Sequence, residues 1–309
     1  MLRVSCLLVL VACASPKETA APQPSPAPPA PRTPLALTYL GVAGWQLDVG
    51  ELTVLVDPYF SRPADFERPI VPDEAAIAAR APAKANLIAI GHSHVDHLLD
   101  APAIAKRTGA QLLGSLSTTR IGRASGVPDD QLITIQGGED FAFDEAGGYS
   151  VRVIPSLHSA IGDKHDALDG EVPPDVALPT NFAGYPMGGA YAYLVRAGGH
   201  EVFFLSTANF IEREVEGLRP DVAVIATGLR QHIHDYTCRL MRALGNPPLV
   251  YANHFDDWRV PAPTTPPPVS DDLNAFIAEV GRCSPGTRVV IPSHFQKMQV
   301  PQGGSSQPR

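Results

Sequence analysis

Cysteine is scarce. The 309-residue chain holds four, and no two of them form a CxxC pair. That makes a thiolate-ligated metal site a poor prospect. A GxSxG stretch is missing too, so nothing marks a serine nucleophile elbow. Positive charge is also short: 24 Lys and Arg stand against 32 Asp and Glu, for a formal net charge of -8. The basic residues are scattered, which argues against a polyanionic partner such as nucleic acid. The apolar run at the N-terminus, Val4 to Ala12, is too short to span a bilayer.

That run carries information of another kind. In MLRVSCLLVLVAC, Arg3 precedes an apolar core, as in a signal peptide. Leu10-Val11-Ala12-Cys13 has the form of a bacterial lipobox, in which Cys13 becomes the lipidated first residue; the alternative is an ordinary signal peptide with an incidental Cys13. Residues 14–34 are dense in Pro and Ala and read as an extended tether without a core. Leader and tether together predict a domain held at a bacterial membrane, a lipoprotein facing the periplasm or the exterior. In that oxidising setting Cys238 and Cys283 could pair, or remain two separate buried thiols. Residues 301–309 are expected to be a disordered tail.

The remainder can build a core. Hydrophobic residues make up 44% of the chain and charged ones 18%, enough for one large domain over residues 35–300. LALTYLGVAG and LTVLVDPYF read as two strands joined by a turn around Gly50. DEAAIAAR predicts a helix and NLIAI a buried strand. APAIAKRTG predicts a helix with Asp100 at its N-cap and Gly109 just past its end. AQLLG, QLITI, DFAF and YSVRVIP are strand-like, and GAYAYLVRA pairs with HEVFFLS across Gly198-Gly199. IEREVEGL, DVAVIATG, TCRLMRALG, PLVYAN, SDDLNAFIAEVG and TRVVIP then alternate helix and strand. Hairpins mixed with βαβ units predict mixed sheets covered by helices. Residues 159–189 and 261–269 fit neither pattern and read as loops.

One stretch concentrates chemistry. GHSHVDHLLD, residues 91–100, follows the strand-like NLIAI. His92 and His94 are spaced to point the same way and share one ion. Asp96 and His97 come one turn later and can face a second ion. Neutral imidazole and carboxylate oxygen suit zinc. One loop cannot close two sites, but His158, His254 and His294 each follow a strand-like run, where a strand end delivers a side chain to one rim.

These residues carry a resemblance. HSHVDH, preceded by LTYLGVAGWQLDVGELTVLVDPYF and followed by the strand-end histidines, resembles the metallo-β-lactamase-fold hydrolases, in their lactonase-like and phosphodiesterase-like branch. The resemblance implies an α+β fold, a four-layer αββα sandwich with a dinuclear metal site. It assigns His92, His94 and His158 to one ion, and Asp96, His97 and His254 to the other. It implies that Asp57 orients a ligand histidine from behind. It also places a bridging Asp where this chain has FFLSTANF, so that the position falls on or beside Ala208, with Ser206, Thr207 and Asn209 as neighbours. Losing that anion should weaken the pair of ions. Three readings follow: one tight and one weak ion, compensation by Asp256 or Asp257, or a catalytically weak relative.

The implied activity is metal-dependent hydrolysis of an ester, lactone, amide or phosphodiester in a small-molecule substrate. One or two zinc ions would supply hydroxide at neutral pH, with Asp96 orienting water or ligating. The alternative is a metal- or ligand-binding lipoprotein that kept the fold and lost turnover. His232 and His234 form a further H-x-H, and His234 is a candidate to contact substrate or protonate a leaving group. Asn209, Asp256 and His294 are expected beside the site, contacting substrate or holding ligands. His165 and His200 read as surface residues without a role, Tyr39 and Trp45 as core. Residues 159–189 could form a lid or a plain surface loop.

Overall fold

Strands that are apolar on alternate residues have one face to bury, and strands apolar throughout have two. Both kinds occur here, and the outcome is two seven-stranded sheets packed face to face. The computed structural model describes residues 31–162, 168–263 and 269–301. The leader with Cys13, most of the tether, His165 and nearly all of the tail fall outside the described residues.

The first half of the chain opens with β1 (Leu35–Gly41), β2 (Gly44–Val49) and β3 (Leu52–Val56), paired antiparallel. β4 (Leu87–Ala89), β5 (Gln111–Gly114) and β6 (Leu132–Thr134) then add in parallel. Parallel neighbours need crossovers. α1 (Glu74–Arg80), α2 (Val95–Leu98), α3 (Ala101–Thr108) and α4 (Leu116–Ala124) lie in these connections. The second half repeats the plan. β7 (Asp140–Phe143), β8 (Tyr149–Pro155), β9 (Tyr191–Ala197) and β10 (His200–Leu205) are antiparallel. β11 (Val222–Ala226), β12 (Leu249–Asn253) and β13 (Arg288–Val290) follow in parallel, with α5 (Glu212–Val215), α6 (Tyr236–Ala243) and α7 (Asp271–Cys283) between them. β14 (Lys297–Gln299) returns to pair with β1.

The alternation of side chains assigns the layers. Val202, Phe204, Val222 and Val224 face the other sheet and meet Leu37, Leu47 and Val54 in a central core. Their neighbours Phe203, Leu205, Ala223 and Ile225 face outward onto Leu240, Met241, Phe276 and Val280 of α6 and α7. On the opposite flank Leu55, Ile88 and Ile90 meet Ile77, Leu98, Ile104 and Ile121. Helix, sheet, sheet and helix therefore stack in the αββα order of an α+β sandwich. Tyr39 and Trp45 are fully buried in the central core, and the Trp45 indole N–H donates to Asn253 Oδ1 at 2.9 Å.

Several elements depart from the sequence expectation. The first run is split by a bend at Gly41 and Val42, both at positive φ, so three strands stand where two were expected. α4 was not foreseen, because LSTTRIGRA is rich in Ser and Thr, which compete locally for backbone hydrogen bonds. Ser115 starts that helix by accepting from the Thr118 N–H at 3.2 Å. Asp100 precedes α3 but does not cap it. Its carboxylate accepts instead from Phe60 N–H at 2.5 Å, Ser61 N–H at 2.7 Å and Ser61 Oγ–H at 2.5 Å. Burial pushes this carboxyl up to about 6, against the pull of those hydrogen bonds.

Cys238 on α6 and Cys283 at the end of α7 form a disulfide, with Cα atoms 5.4 Å apart and 45 residues of separation. Closing that loop restricts the unfolded chain by about 4 kcal/mol in the chain-entropy account. Cys283→Ser should therefore lower the denaturant midpoint measured without reductant. Dithiothreitol should bring the unmodified protein down to the same value, and equal midpoints at the start would count against a stabilising pair.

Candidate metal centre

The site begins with a glycine. Gly91 follows β4, and a Cβ there would meet Ser206 Oγ at 2.5 Å and Asp57 Oδ2 at 3.0 Å. Only glycine lets the end of β4 approach the end of β10 this closely. The Gly91 N–H donates to Asp57 Oδ1 at 2.6 Å, and its carbonyl accepts from the Tyr191 N–H at 2.8 Å. The chain then turns through His92 and Ser93 into α2, whose first residues include Asp96 and His97. Ser93 is fixed on both sides: its N–H donates to the Met187 carbonyl at 2.8 Å, and its hydroxyl meets Ser115 and Thr118 at 3.0 Å each.

Two groups of potential ligands form at this point. One is His92, His94 and His158; the other is Asp96, His97 and His254. Within each group the ligand atoms lie within 4.8 Å of one another. The two groups adjoin, since the His92 and His97 rings are 3.8 Å apart. His92 Nε2 and His158 Nε2 face each other at 3.2 Å, and Asp96 Oδ2 lies 3.5 Å from both His97 Nε2 and His254 Nε2. His92 Nδ1, His94 Nε2 and His97 Nε2 are buried without a hydrogen-bond partner. Buried polar atoms are normally satisfied, and unpaired nitrogens on imidazoles whose ligand atoms lie within 4.8 Å of one another in each group fit a bound cation. The donor set of imidazoles and a carboxylate suits a borderline ion such as zinc.

Two of the ligands have a partner behind the ring. His158 Nδ1 lies 2.8 Å from the Ser159 carbonyl, which can only accept, so Nδ1 carries the proton and Nε2 faces the site with a lone pair. Asp57 Oδ2 lies 3.0 Å from His97 Nδ1, a carboxylate backing an imidazole. Burial, then repulsion from the neighbouring imidazoles, holds His92 well below the ordinary histidine range. Burial likewise lowers His94, and it takes His158 to about 3. All three are therefore neutral, as ligands must be. Burial works to raise Asp96, but His97 and His254 outweigh it and the carboxyl stays well below the usual range. Burial also opposes charge on His97, yet Asp96 and Asp57 prevail and raise it.

The segment FFLSTANF places Ala208 in the cavity wall. Thr207 Oγ1 accepts from the Ser159 N–H at 2.9 Å, and Asn209 Nδ2 donates to the His158 carbonyl at 3.0 Å. Both side chains are thus committed to holding the His158 loop. Ser206 Oγ is buried beside Gly91 without a partner. Compensation by Asp256 or Asp257 does not occur. Asp256 accepts from the Val42 N–H at 2.8 Å, from His294 Nε2 at 2.9 Å and from the Tyr39 hydroxyl, all away from the ligands. Burial would raise it, but these donors hold it down at about 2. Asp257 is exposed and paired with Arg259 at 2.9 Å.

His294 is consequently a partner of Asp256 and does not line the cavity. Of the two roles expected for Asp256 and His294, contacting substrate or holding ligands, their contacts fit the second. His232 and His234 are exposed on the turn before α6 and do not line the cavity either, so the structure does not bring His234 to the chemistry. His200, expected at the surface, is buried, with Nε2 2.8 Å from the Thr33 carbonyl. Sequence reasoning missed the apolar side of this cavity of about 140 Å³: Ile161, Leu168, Phe182, Leu229 and Trp258. Its residues come from loops without periodicity, so no pattern announced them. Leu168 and Phe182 lie in a segment stitched down by Ile70 N–H to Thr180 O at 2.8 Å and Phe182 N–H to Phe66 O at 3.0 Å. These hydrogen bonds tie the middle of the described stretch 168–189 to the Phe66–Ile70 segment.

Comparison with known proteins agrees with this geometry. A family model described as the beta-lactamase superfamily domain matches residues 53–244. A UPF0173 metal-dependent hydrolase of Methanopyrus kandleri is 26% identical over 259 residues, 83% of this chain and 96% of its own length. Another from Heliobacterium modesticaldum is 26% identical over 250 residues, 78% of this chain and 88% of its own. Among solved structures, a metallo hydrolase from the archaeon Ignicoccus hospitalis superposes with a TM-score of 0.61 at 20% identity, covering 88% of this chain and 100% of that one.

Asp96 is the one carboxylate within the two ligand groups. Ala208→Asp should supply another and tighten the weaker ion by about ten- to a hundredfold. Elemental analysis after dialysis would show higher metal content per chain; an unchanged content would mean that charge at this position does not limit occupancy.

Proposed function

The chain belongs to the beta-lactamase superfamily and is a metal-dependent hydrolase, and from that premise we propose that it uses zinc to hydrolyse an ester, lactone, amide or phosphodiester in a small molecule. The observation that carries this reading is the convergence of six ligand side chains into two adjoining groups. His92, His94 and His158 would hold one ion, and Asp96, His97 and His254 the other. When bound, zinc acts as a Lewis acid and makes hydroxide available near neutral pH.

The chain's own residues do the rest. His158 offers Nε2 because the Ser159 carbonyl holds the proton on Nδ1. Asp57 keeps the His97 ring in orientation. Asp96, kept ionised by its two histidine neighbours, can accept a hydrogen bond from attacking water or serve as a ligand. Phe182, Trp258 and Leu229 give the cavity an apolar lining, and water excluded there would strengthen the electrostatic interactions inside.

Ala208 keeps a second reading in play, a metal-binding lipoprotein with little turnover, because the site has less negative charge to offset two dications. A panel of chromogenic lactone, thioester, β-lactam and bis-phosphodiester substrates separates the two, with metal content measured in parallel. Turnover of at least one, lost on chelation and restored by zinc, is the expected result. Inactivity across the panel with metal bound would favour the binding protein.

The proposal extends to location. Leu10-Val11-Ala12-Cys13 and the Pro/Ala-rich stretch after it support an anchored envelope protein. Cells expressing the full chain should incorporate labelled palmitate into it, and Cys13→Ala should remove the label; label retained in that variant would refute lipidation at Cys13.

A further inference from the structure

The apolar side of the metal cavity has features that packing does not explain. Leu168 and Leu229 are each 37% exposed and belong to none of the hydrophobic cores. Both hold left-handed backbone conformations, with φ of 52° and 64°. Glycine or asparagine would sit there at lower cost. Both leucines nevertheless line the same cavity. Strained backbone that presents a side chain to a cleft is a pointer to function.

The rest of the wall is consistent with this. Trp258 is stacked on Phe182, with centroids 5.9 Å apart and ring planes 16° apart, and Phe66 meets it edge-on at 4.8 Å. Arg62 donates to the Trp258 carbonyl at 3.2 Å, which holds the backbone that carries the indole. Ile161 closes the side next to Ser159. Among the described residues lining the cavity there is no lysine or arginine. One flank therefore carries the metal ligands and the other is hydrocarbon.

Resting on the hydrolase reading above, we propose that Leu168, Leu229, Phe182, Trp258 and Ile161 bind an uncharged, apolar acyl group of the substrate beside the ligand histidines. The substrate this wall fits is a carbonyl compound, an ester, lactone or amide with a hydrocarbon side. Leu229 and Trp258 set the specificity.

The test uses the full chain loaded with zinc, titrated calorimetrically with n-alkyl carboxylates from acetate to hexanoate and, separately, with inorganic phosphate. Tryptophan fluorescence gives a second readout, since of the two tryptophans Trp45 is fully buried in the core and Trp258 lines the cavity. Affinity should rise roughly fourfold per methylene as each is removed from water. Leu229→Gly should flatten that gradient while leaving the melting temperature unchanged or raised, because glycine relieves the positive φ. Trp258→Ala should flatten it further. A series independent of chain length, phosphate binding more tightly than hexanoate, or a Leu229→Gly variant that loses stability but keeps the gradient would each overturn the proposal. A steep series without hydrolysis of any carbonyl substrate would sink the hydrolase reading and leave the apolar wall standing. Hydrolysis with a flat series would do the reverse.

Discussion

Five imidazoles and one carboxylate face one another across a few ångströms at the ends of two sheets, where burial prevents water from separating them. Without a cation this arrangement is unfavourable: lone pairs oppose lone pairs, and several nitrogens find no partner. With one, the same burial becomes useful, because it keeps His92, His94 and His158 neutral and ready to ligate. Ion affinity and the stability of these loops are therefore linked. Much of the surrounding structure holds six side chains in a geometry they would not adopt unaided.

The holding is done by backbone contacts as much as by ligands' own partners. His254 has a φ of 49°, a conformation that costs energy for any residue with a Cβ. Its N–H donates to the Val42 carbonyl at 2.8 Å, while the Val42 N–H donates to Asp256 at the same distance. The bend between β1 and β2, itself at positive φ, is thus clasped to the strand end that carries His254. Asp256 is fixed in turn by His294, so both residues act on the site through the chain they position. Gly91 performs the equivalent task on the other sheet, where Ser206 and Asp57 leave no room for a side chain.

What could be read in the sequence followed from density and periodicity. GHSHVDHLLD packs five chemistry-bearing residues into ten, and a strand precedes it; His158 and His254 stand at strand ends. Those signals placed the HSHVDH ligands and made the strand-end histidines candidates, the resemblance to metallo-β-lactamase-fold hydrolases sorted them into two groups, and alternation in YSVRVIP with the Gly198-Gly199 turn before HEVFFL pointed to the paired strands. The failures have physical causes. Asp100 fits a cap by position, but three donors from the Phe60–Ser61 turn, distant in sequence, claim its carboxylate. Asp256 sits two residues from a ligand and so looked available, yet Tyr39, Val42 and His294 surround it. His234 has the spacing of a ligand pair but no strand end to aim it. The apolar wall draws on three separate loops, and only tertiary structure assembles it.

Ala208 then reads as part of a redistribution of charge. No carboxylate stands at that position, and its neighbours Thr207 and Asn209 are occupied in holding the His158 loop. Negative charge enters the site directly through Asp96, and at one remove through Asp57, whose carboxylate lies 3.0 Å from His97. A carboxylate behind an imidazole makes that imidazole a stronger donor, so the ion held with His97 feels Asp57 without contacting it. The methyl group of Ala208 meanwhile leaves the cavity wall neutral where an acid would have charged it. A neutral wall next to Phe182, Trp258 and Leu229 extends the hydrocarbon surface toward the ligands. The same substitution that lowers the charge available to a second ion thereby enlarges the surface on which an apolar group can rest.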